Sequence, residues 1–405
     1  DFPSVIYQAD WLLPMDGPPL SKGWLRVEGD RITAVGSSSN PPPPTDDIQT
    51  FPGCVLLPGL INMHCHLELT ALHHKLPSEK SFPIWVEALR ALTATMEPVD
   101  YRKSSEQGIV QLLHGGTTTV VDVGNTGEAP TALAQSSLRA VALVETLGLD
   151  PILAESRFSH YRALSESVAA TSRVRIGLVP HAAYSCSPEL IRAVIGFQRD
   201  RNLPITFHAS ESREEEELFS SASGALQEFC RSFFKSVPEH RHTTPIKYLE
   251  KSGLLPDHAM VVHGNHLDAE DIGILVERKA TVVHCPSSHA FFGHKPFPYH
   301  VLRQAGVPVC LGTDSLASGD SLSMLDQVRM FRNNFPSVTA EEALQIATMA
   351  AARALGLENE IGILRTGFKA DFIAVACASK TDPYESLITD NVVTTVVDGQ
   401  PTPSI

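Results

Sequence analysis

No stretch of this chain stays apolar for the roughly 18 residues that a bilayer span requires. No basic, apolar, small-residue leader opens it, so no secretion signal is visible; the numbering starts at Asp1, which leaves open a leader removed earlier. Positive charge is scarce. Lys and Arg number 32 against 46 Asp and Glu, a formal net charge of −14. Such a surface repels phosphate backbones, so neither nucleic acid nor a membrane is an expected partner. Seven cysteines, odd in number and irregularly spaced, do not make a disulfide framework. Cys54, Cys285 and Cys310 lie in apolar strand-like runs where a thiol acts as a small hydrophobe, and the set fits a reducing cytoplasm. Internal repeats of fixed short period are missing, and the proline run at residues 41–44 is the one low-complexity tract.

What remains is ordinary globular material. The 405 residues are 43% hydrophobic and 19% charged, enough for a large core and more than one structural unit. Both ends read as short strands between turns: residues 5–7, 24–28 and 31–35 at the start, with Gly29-Asp30 as a hairpin turn, and residues 370–375 and 392–397 at the finish, with a turn at Asp398-Gly399. This predicts a composite β-sandwich domain built from residues 1–57 and 366–405. The middle, residues 58–365, alternates short apolar runs with helical segments such as 82–96, 188–201 and 269–279. Eight strand candidates are legible, at residues 55–60, 118–123, 140–145, 174–180, 204–207, 259–262, 280–284 and 308–312. Eight βα units predict an α/β fold closed as a (β/α)8 TIM barrel. The alternative is an open doubly wound sheet, but no Gly-rich nucleotide loop follows the first strand candidate.

In such a barrel the chemistry gathers at the carboxyl ends of the strands. The polar residues that end these strands are His64 and His66, His181, His208, His263, His284 and Asp314. A bare His-x-His is common in surface turns. Here positions i and i+2 share one face of a strand, so both imidazoles can converge on one metal. His64, His66 and His208 with Asp314 supply three imidazoles and a carboxylate, a donor set for one borderline divalent ion with a position left for water. Such an ion lowers the pKa of a bound water toward neutrality and supplies a nucleophile without strong base.

Leu57-Pro-Gly-Leu-Ile-Asn-Met-His-Cys-His-Leu67, Phe207-His-Ala-Ser-Glu211, Val262-His263-Gly264 and Leu311-Gly-Thr-Asp-Ser315, in this order, resemble the successive signatures of the amidohydrolase superfamily. The resemblance is narrower toward its deaminase and chlorohydrolase branch, and it extends to Gly367-Phe-Lys-Ala-Asp-Phe-Ile373 in the terminal β region. It implies a hydrolase acting on carbon–nitrogen bonds in cyclic amidines. His64, His66, His208 and Asp314 would be the metal ligands, Glu211 the proton shuttle, and His263 a hydrogen-bond partner of the water or the leaving group. Asp314 would also accept a proton from the water. No lysine stands at the end of the third or fourth strand, where binuclear members carry a bridging group; Glu145 and His181 occupy those neighbourhoods, so one metal per chain is implied. Zinc suits the donors best, though iron and manganese bind such sites too. Glu214 to Glu217 read as a solvated helix start.

For the substrate, Val179-Pro-His-Ala-Ala-Tyr-Ser-Cys186 is similar to a segment of adenosine-derivative deaminases whose histidine contacts a purine ring nitrogen, which points to His181. His66-Leu-Glu-Leu-Thr70, the segment running from Ser81 to Leu89, and the segment from Gly312 to Ser318 resemble aminodeoxyfutalosine deaminases of the alternative menaquinone pathway. On this basis Glu68, Glu87, Arg157, His289 and Ser318 are further candidate substrate contacts, Arg157 as a partner for a carboxylate. Where many relatives read Cys-Pro-x-Ser-Asn, this chain has Cys285-Pro-Ser-Ser-His289 followed by Phe291-Phe292, which suggests an apolar, ring-stacking pocket. The expectation is hydrolytic deamination of a 6-aminopurine nucleoside derivative such as aminodeoxyfutalosine. The alternatives are cytosine, guanine or pterin deamination, dechlorination, and, more remotely, an inactive scaffold or a metal-binding module. Relatives of this kind often form dimers, which puts a homodimer among the expectations.

Overall fold

The computed structural model describes all residues except 1–3, 45–46, 78–80, 239, 379–380, 388–390 and 403–405. Its centre is a (β/α)8 barrel. Four parallel strands form one half: β1 (Leu60–Cys65), β2 (Thr117–Gly124), β3 (Arg139–Thr146) and β4 (Val174–Pro180). Four more form the other: β5 (Thr206–Ala209), β6 (Met260–His263), β7 (Thr281–His284) and β8 (Val309–Leu311). Single parallel bridges join the halves at both seams, Ala182 with His208 and Cys65 with Asp314. Strands such as Thr117–Gly124 are buried at every position, as β-branched runs covered on both faces must be. The barrel interior holds residues from opposite strands, among them Ile61, Met63, Val121, Leu143, Val262 and Cys310.

The helices that clothe the barrel start on their own local signals. Helix Pro188–Asp200 follows Ser187, whose hydroxyl accepts the Leu190 N–H, with Pro188 in the first turn. It buries Leu190, Ile191, Val194 and Ile195, each contributing roughly 1.5–3 kcal/mol of transfer free energy. Asp268 and Asp271 form a capping box for helix Ala269–Glu277.

The remaining strands make one sheet drawn from both ends of the chain. Ser4–Leu12, Trp24–Glu28, Arg31–Gly36 and Asp47–Pro58 are joined by Phe372–Ala376, Val392–Val397 and Gln400–Pro401, and Leu20–Ser21 pairs with the first of them. Phe372–Ala376 runs antiparallel to Asp47–Pro58. The sheet rolls until Ile32 exchanges backbone hydrogen bonds with Gly367 and Phe368. Two faces thereby enclose a second core containing Tyr7, Leu25, Ile32, Leu56 and Phe372. The hairpin expected at Gly29-Asp30 is present, with Gly29 at φ +62°. Asp398 and Gly399, both at positive φ, turn the last hairpin.

One strand expectation needs correction. The apolar run at residues 55–60 is not the first barrel strand: residues 55–58 finish Asp47–Pro58 of the terminal sheet, and β1 starts at Leu60. A continuous apolar run carries no mark of where one sheet hands over to another. Arg139, at the start of β3, ties the two sheets together through Asp371 (2.9 Å) and Asp398 (2.6 Å), all three largely buried. Among the described residues no helix is long and apolar enough to cross a membrane.

Candidate active site

A register shift in β1 between Asn62 and Cys65 creates the first half of the site. Ile61 and Met63 fill the barrel interior, so regular alternation would send His64 and His66 outward. The shift re-aims both rings toward the mouth. At the opposite seam Gly312 lies so close that an added Cβ would fall 2.8–2.9 Å from the Cβ and backbone of His64; only glycine lets β1 and β8 meet there. Asn62 locks that seam, donating to the Thr313 hydroxyl at 2.8 Å and accepting the Thr313 N–H at 3.1 Å. Thr313 and Asp314 in turn donate their N–H groups to the His64 carbonyl.

The result is a convergence of donors. His64 Nε2 lies 3.1 Å from His208 Nε2. Asp314 Oδ1 is 3.8 Å from His64 Nε2 and 3.6 Å from His66 Nε2. His66 Nδ1 pairs with the Val123 carbonyl at 2.9 Å, and His208 Nδ1 with the His181 carbonyl at 3.0 Å. A carbonyl can only accept, so each Nδ1 carries the proton and each Nε2 presents a lone pair. Lone-pair nitrogens held together in a buried pocket repel one another unless a cation lies between them. His64, His66 and His208 have ligand atoms within 4.8 Å of one another, and with the Asp314 carboxylate they fit a single divalent ion. Burial and then the neighbouring His66 ring hold His64 well below its usual pKa, and burial takes His208 to about 4, so both stay neutral ligands. Ser315 N–H and the Ser318 hydroxyl orient the two Asp314 oxygens at 2.9 and 3.4 Å.

Across from this set sits Glu211, 5% exposed, with Oε1 3.4 Å from His263 Nε2. Burial first, and then the Asp314 charge, push its carboxyl well above the carboxylate range. Burial and the His208 ring keep His263 well below its usual value. Ser210, His263 and Asp314 all have left-handed backbones (φ +54°, +75° and +58°), a strain of about 1–3 kcal/mol each for side-chain-bearing residues. Non-glycine residues in this conformation, at the ends of three barrel strands, belong to a site whose geometry outweighs local preference.

Glu215 departs from the expected solvated helix start. It is 1% exposed and accepts the Glu211 N–H at 2.7 Å. Burial raises its carboxyl to about 7, against an ordinary 4.5. A raised folded-state pKa means stability fully present below about 4.5 and lost as pH climbs through about 7. The neutral Glu215→Gln variant should escape that loss, gaining on the order of 3 kcal/mol over wild type by pH 8. Urea melts at pH 5 and pH 8 measure it, and parallel behaviour of the two proteins would refute the assignment.

A cavity of about 320 Å³ opens above these groups. Its walls are aromatic, from helix α1 (Phe82–Thr93), helix α2 (Ala225–Phe234) and helix α3 (Pro286–Phe292). The Arg90 guanidinium stacks 3.5 Å above the Phe233 ring and links α1 to α2. His181 lines the cavity, its Nδ1 held by the Ser185 hydroxyl at 2.6 Å and its pKa pushed by burial to about 3. Phe292 also lines it, edge-on to Trp85, which agrees with the ring-stacking pocket expected from Phe291-Phe292; Phe291 packs against the core instead.

The other candidate contacts lie elsewhere or are already engaged. The Glu68 carboxylate touches the cavity, but Asn125 N–H (2.9 Å), Thr126 N–H (3.2 Å) and the Thr126 hydroxyl occupy it. Glu87 is on the exposed face of α1 and does not line the cavity. Arg157 is exposed beside a neighbouring hollow of about 220 Å³ that shares Leu147, Phe233 and Phe234 with the cavity. His289 Nε2 pairs with the Lys295 carbonyl, outside the cavity wall. Ser318 touches Asp314 and Ser288 rather than the cavity. His284 stacks on Phe297 at 3.9 Å while its carbonyl accepts the Gly312 N–H, so it buttresses β8. Sequence reasoning gave no role to Asn62, Glu215 or the α2 aromatics, whose contacts come from distant segments.

The amidohydrolase family model matches residues 55–402. A 5-methylthioadenosine/S-adenosylhomocysteine deaminase of Halobacterium salinarum is 30% identical over 373 residues, covering 88% of this chain and 80% of the relative. The crystal structure of Helicobacter pylori aminofutalosine deaminase in complex with methylthio-coformycin superposes with a TM-score of 0.88 at 24% identity, over 98% of this chain and 100% of that one. A zinc-bound adenosine deaminase from Xanthomonas campestris superposes at 0.83 with 22% identity, over 99% and 93% of the two chains.

Proposed function

This chain belongs to the amidohydrolase family and is a hydrolase of carbon–nitrogen bonds in cyclic amidines; from that premise we propose that it removes ammonia from a 6-aminopurine nucleoside. The observation that carries the reading is the placement of the buried Glu211 carboxyl, 3.4 Å from the His263 ring, opposite a three-histidine, one-aspartate donor set beneath an aromatic-walled cavity. The relatives supply the substrate class, since those named above act by name on 5-methylthioadenosine, S-adenosylhomocysteine, adenosine or aminofutalosine.

His64, His66, His208 and Asp314 would hold one divalent ion, zinc suiting the donors best. When bound, such an ion acidifies water and polarises it for attack. The protein's own groups do the remaining work. Glu211, its carboxyl raised by burial well above the ordinary carboxylate range, gives a proton to the ring nitrogen beside the amine-bearing carbon, making that carbon electrophilic. Asp314, its oxygens oriented by Ser315 and Ser318, takes a proton from the attacking water. The carbon–oxygen bond forms; the exocyclic carbon–nitrogen bond then breaks as the amino group takes the proton held by Asp314 and leaves as ammonia, while the added hydroxyl returns a proton to Glu211 and becomes the ring carbonyl. His263 hydrogen-bonds at the reacting centre, and its neutral ring can donate or accept. His181 faces the heterocycle with its Nε2, since Ser185 holds its Nδ1.

The test is metal content measured on the purified chain together with ammonia release from 5-methylthioadenosine, S-adenosylhomocysteine, adenosine and aminodeoxyfutalosine. About one metal per chain and rapid release from at least one of them is the expected result. Metal without release from any purine nucleoside, alongside turnover of a pyrimidine, pterin or chlorotriazine, would replace the substrate class while keeping the site.

A further inference from the structure

The cavity is bordered by buried carboxylates whose engagement differs. Glu68 is saturated by donors from the loop after β2. Glu211 faces His263. Glu145 is the exception. It is 4% exposed and lines the cavity wall. On β3 it shares a face with Val141 and Leu143, which fill the barrel interior, so its side chain rises into the mouth. Its Oε2 accepts a hydrogen bond from Asn125 Nδ2 at 2.8 Å. Its Oε1 is buried and, among the described residues, has no hydrogen-bond partner. The nearest ring nitrogen, His208 Nδ1, is 3.9 Å away and already gives its proton to the His181 carbonyl.

A buried carboxylate oxygen without a donor is costly, and a binding cavity is where a ligand can supply the missing donor. Which part of the ligand reaches it follows from the order of strands. Glu211 and His263 come from the ends of β5 and β6, whereas His181 and Glu145 come from β4 and β3 on the other side of His208. The reacting edge of the heterocycle must face Glu211 and His263. Glu145 therefore meets the opposite end of the molecule, which in a purine nucleoside carries the sugar. A ribose presents hydroxyl donors there; a free base does not, and a deoxyribose presents fewer.

We propose that Glu145, held in place by Asn125, accepts a hydrogen bond from a ribose hydroxyl and is the residue by which this site selects ribonucleosides. The inference rests on the purine-nucleoside reading above. It also assigns a role to Asn125: its amide holds one Glu145 oxygen in place and leaves the other for a ligand donor.

The experiment compares kcat/KM for the best ribonucleoside substrate with its 2′-deoxy and 3′-deoxy analogues, in wild type, Glu145→Gln and Glu145→Ala. A ratio of rate constants is insensitive to the fraction of each preparation that is folded, and metal content is measured alongside. Wild type should prefer the ribonucleoside over at least one analogue by roughly 10–100-fold, the range for a hydrogen bond to a charged partner. That preference should shrink to a few-fold in Glu145→Gln and approach one in Glu145→Ala, with metal content unchanged. A wild-type preference near one, or one that survives both substitutions, overturns the inference while leaving deamination intact. If wild type deaminates no nucleoside at all, the reading beneath it falls and takes this inference with it.

Discussion

Glu211→Gln should lower kcat by about 10²–10⁴ while leaving the metal content at the wild-type level. The replacement has the same shape, and the contacts that fix this residue run through its backbone: its N–H to Glu215 and its carbonyl from Asn265. Folding should therefore be undisturbed. What disappears is the capacity to release and recapture a proton beside the heterocycle. Glutamine still occupies the cavity floor and can still hydrogen-bond, so KM should move only a few-fold and the deficit should sit in kcat. Ammonia release under saturating substrate, with elemental analysis of the same sample, reads both quantities. A variant that keeps its metal and turns over within tenfold of wild type would remove Glu211 from the mechanism. It would also reopen the reading of this chain as a metal-binding module, since such a module has no need of an acid beside the ion.

His208→Ala should abolish both activity and metal-dependent stabilisation. The lost ring contributes the nitrogen 3.1 Å from His64 Nε2, at the centre of the donor set. In wild type, zinc at a thousand times its dissociation constant should stabilise the fold by about 4 kcal/mol. The variant, short of one ligand, should show little of that rise in melting temperature across the same zinc titration. Turnover should fall at least 10³-fold, because an ion of this kind supplies several kcal/mol of transition-state stabilisation. Losing the His208 side chain also removes one of two hydrogen bonds to the His181 carbonyl, which keeps the His208 backbone N–H, so a modest loss of stability without zinc is expected. Stoichiometric zinc in the variant, with turnover close to wild type, would show that the ligands lie elsewhere.

Much of this architecture was legible in advance because it rests on local signals. The βα alternation, the Gly29-Asp30 hairpin, and the placement of histidines and Asp314 at strand ends are read from neighbours along the chain. The handover at Gly59 was not legible, because residues 55–60 form one apolar run and only pairing partners separate its two parts. Glu215 was misread for a similar reason. It stands among four consecutive glutamates, and nothing along the chain distinguishes the one whose carboxylate is buried against the Glu211 backbone from its solvated neighbours. Glu87, His289 and Ser318 share the converse problem: type and position suit a substrate contact, but they lie outside the cavity wall, whereas Glu68 lines it with its carboxylate engaged by the loop after β2.

Residue types and strand-end positions along the chain were enough to bring forward His64, His66, His208 and Asp314 as candidate metal ligands, and the resemblance of the segments around them to amidohydrolase signatures implied the reaction class and a proton-shuttle role for Glu211. The tertiary structure decided how that set is aimed and what it faces. The register shift in β1 turns His64 and His66 inward, Gly312 allows β1 and β8 to close around them, and burial raises the Glu211 carboxyl and leaves one Glu145 oxygen without a donor. These outcomes depend on desolvation and on distances between segments remote in the chain, and neither quantity exists until the barrel has closed.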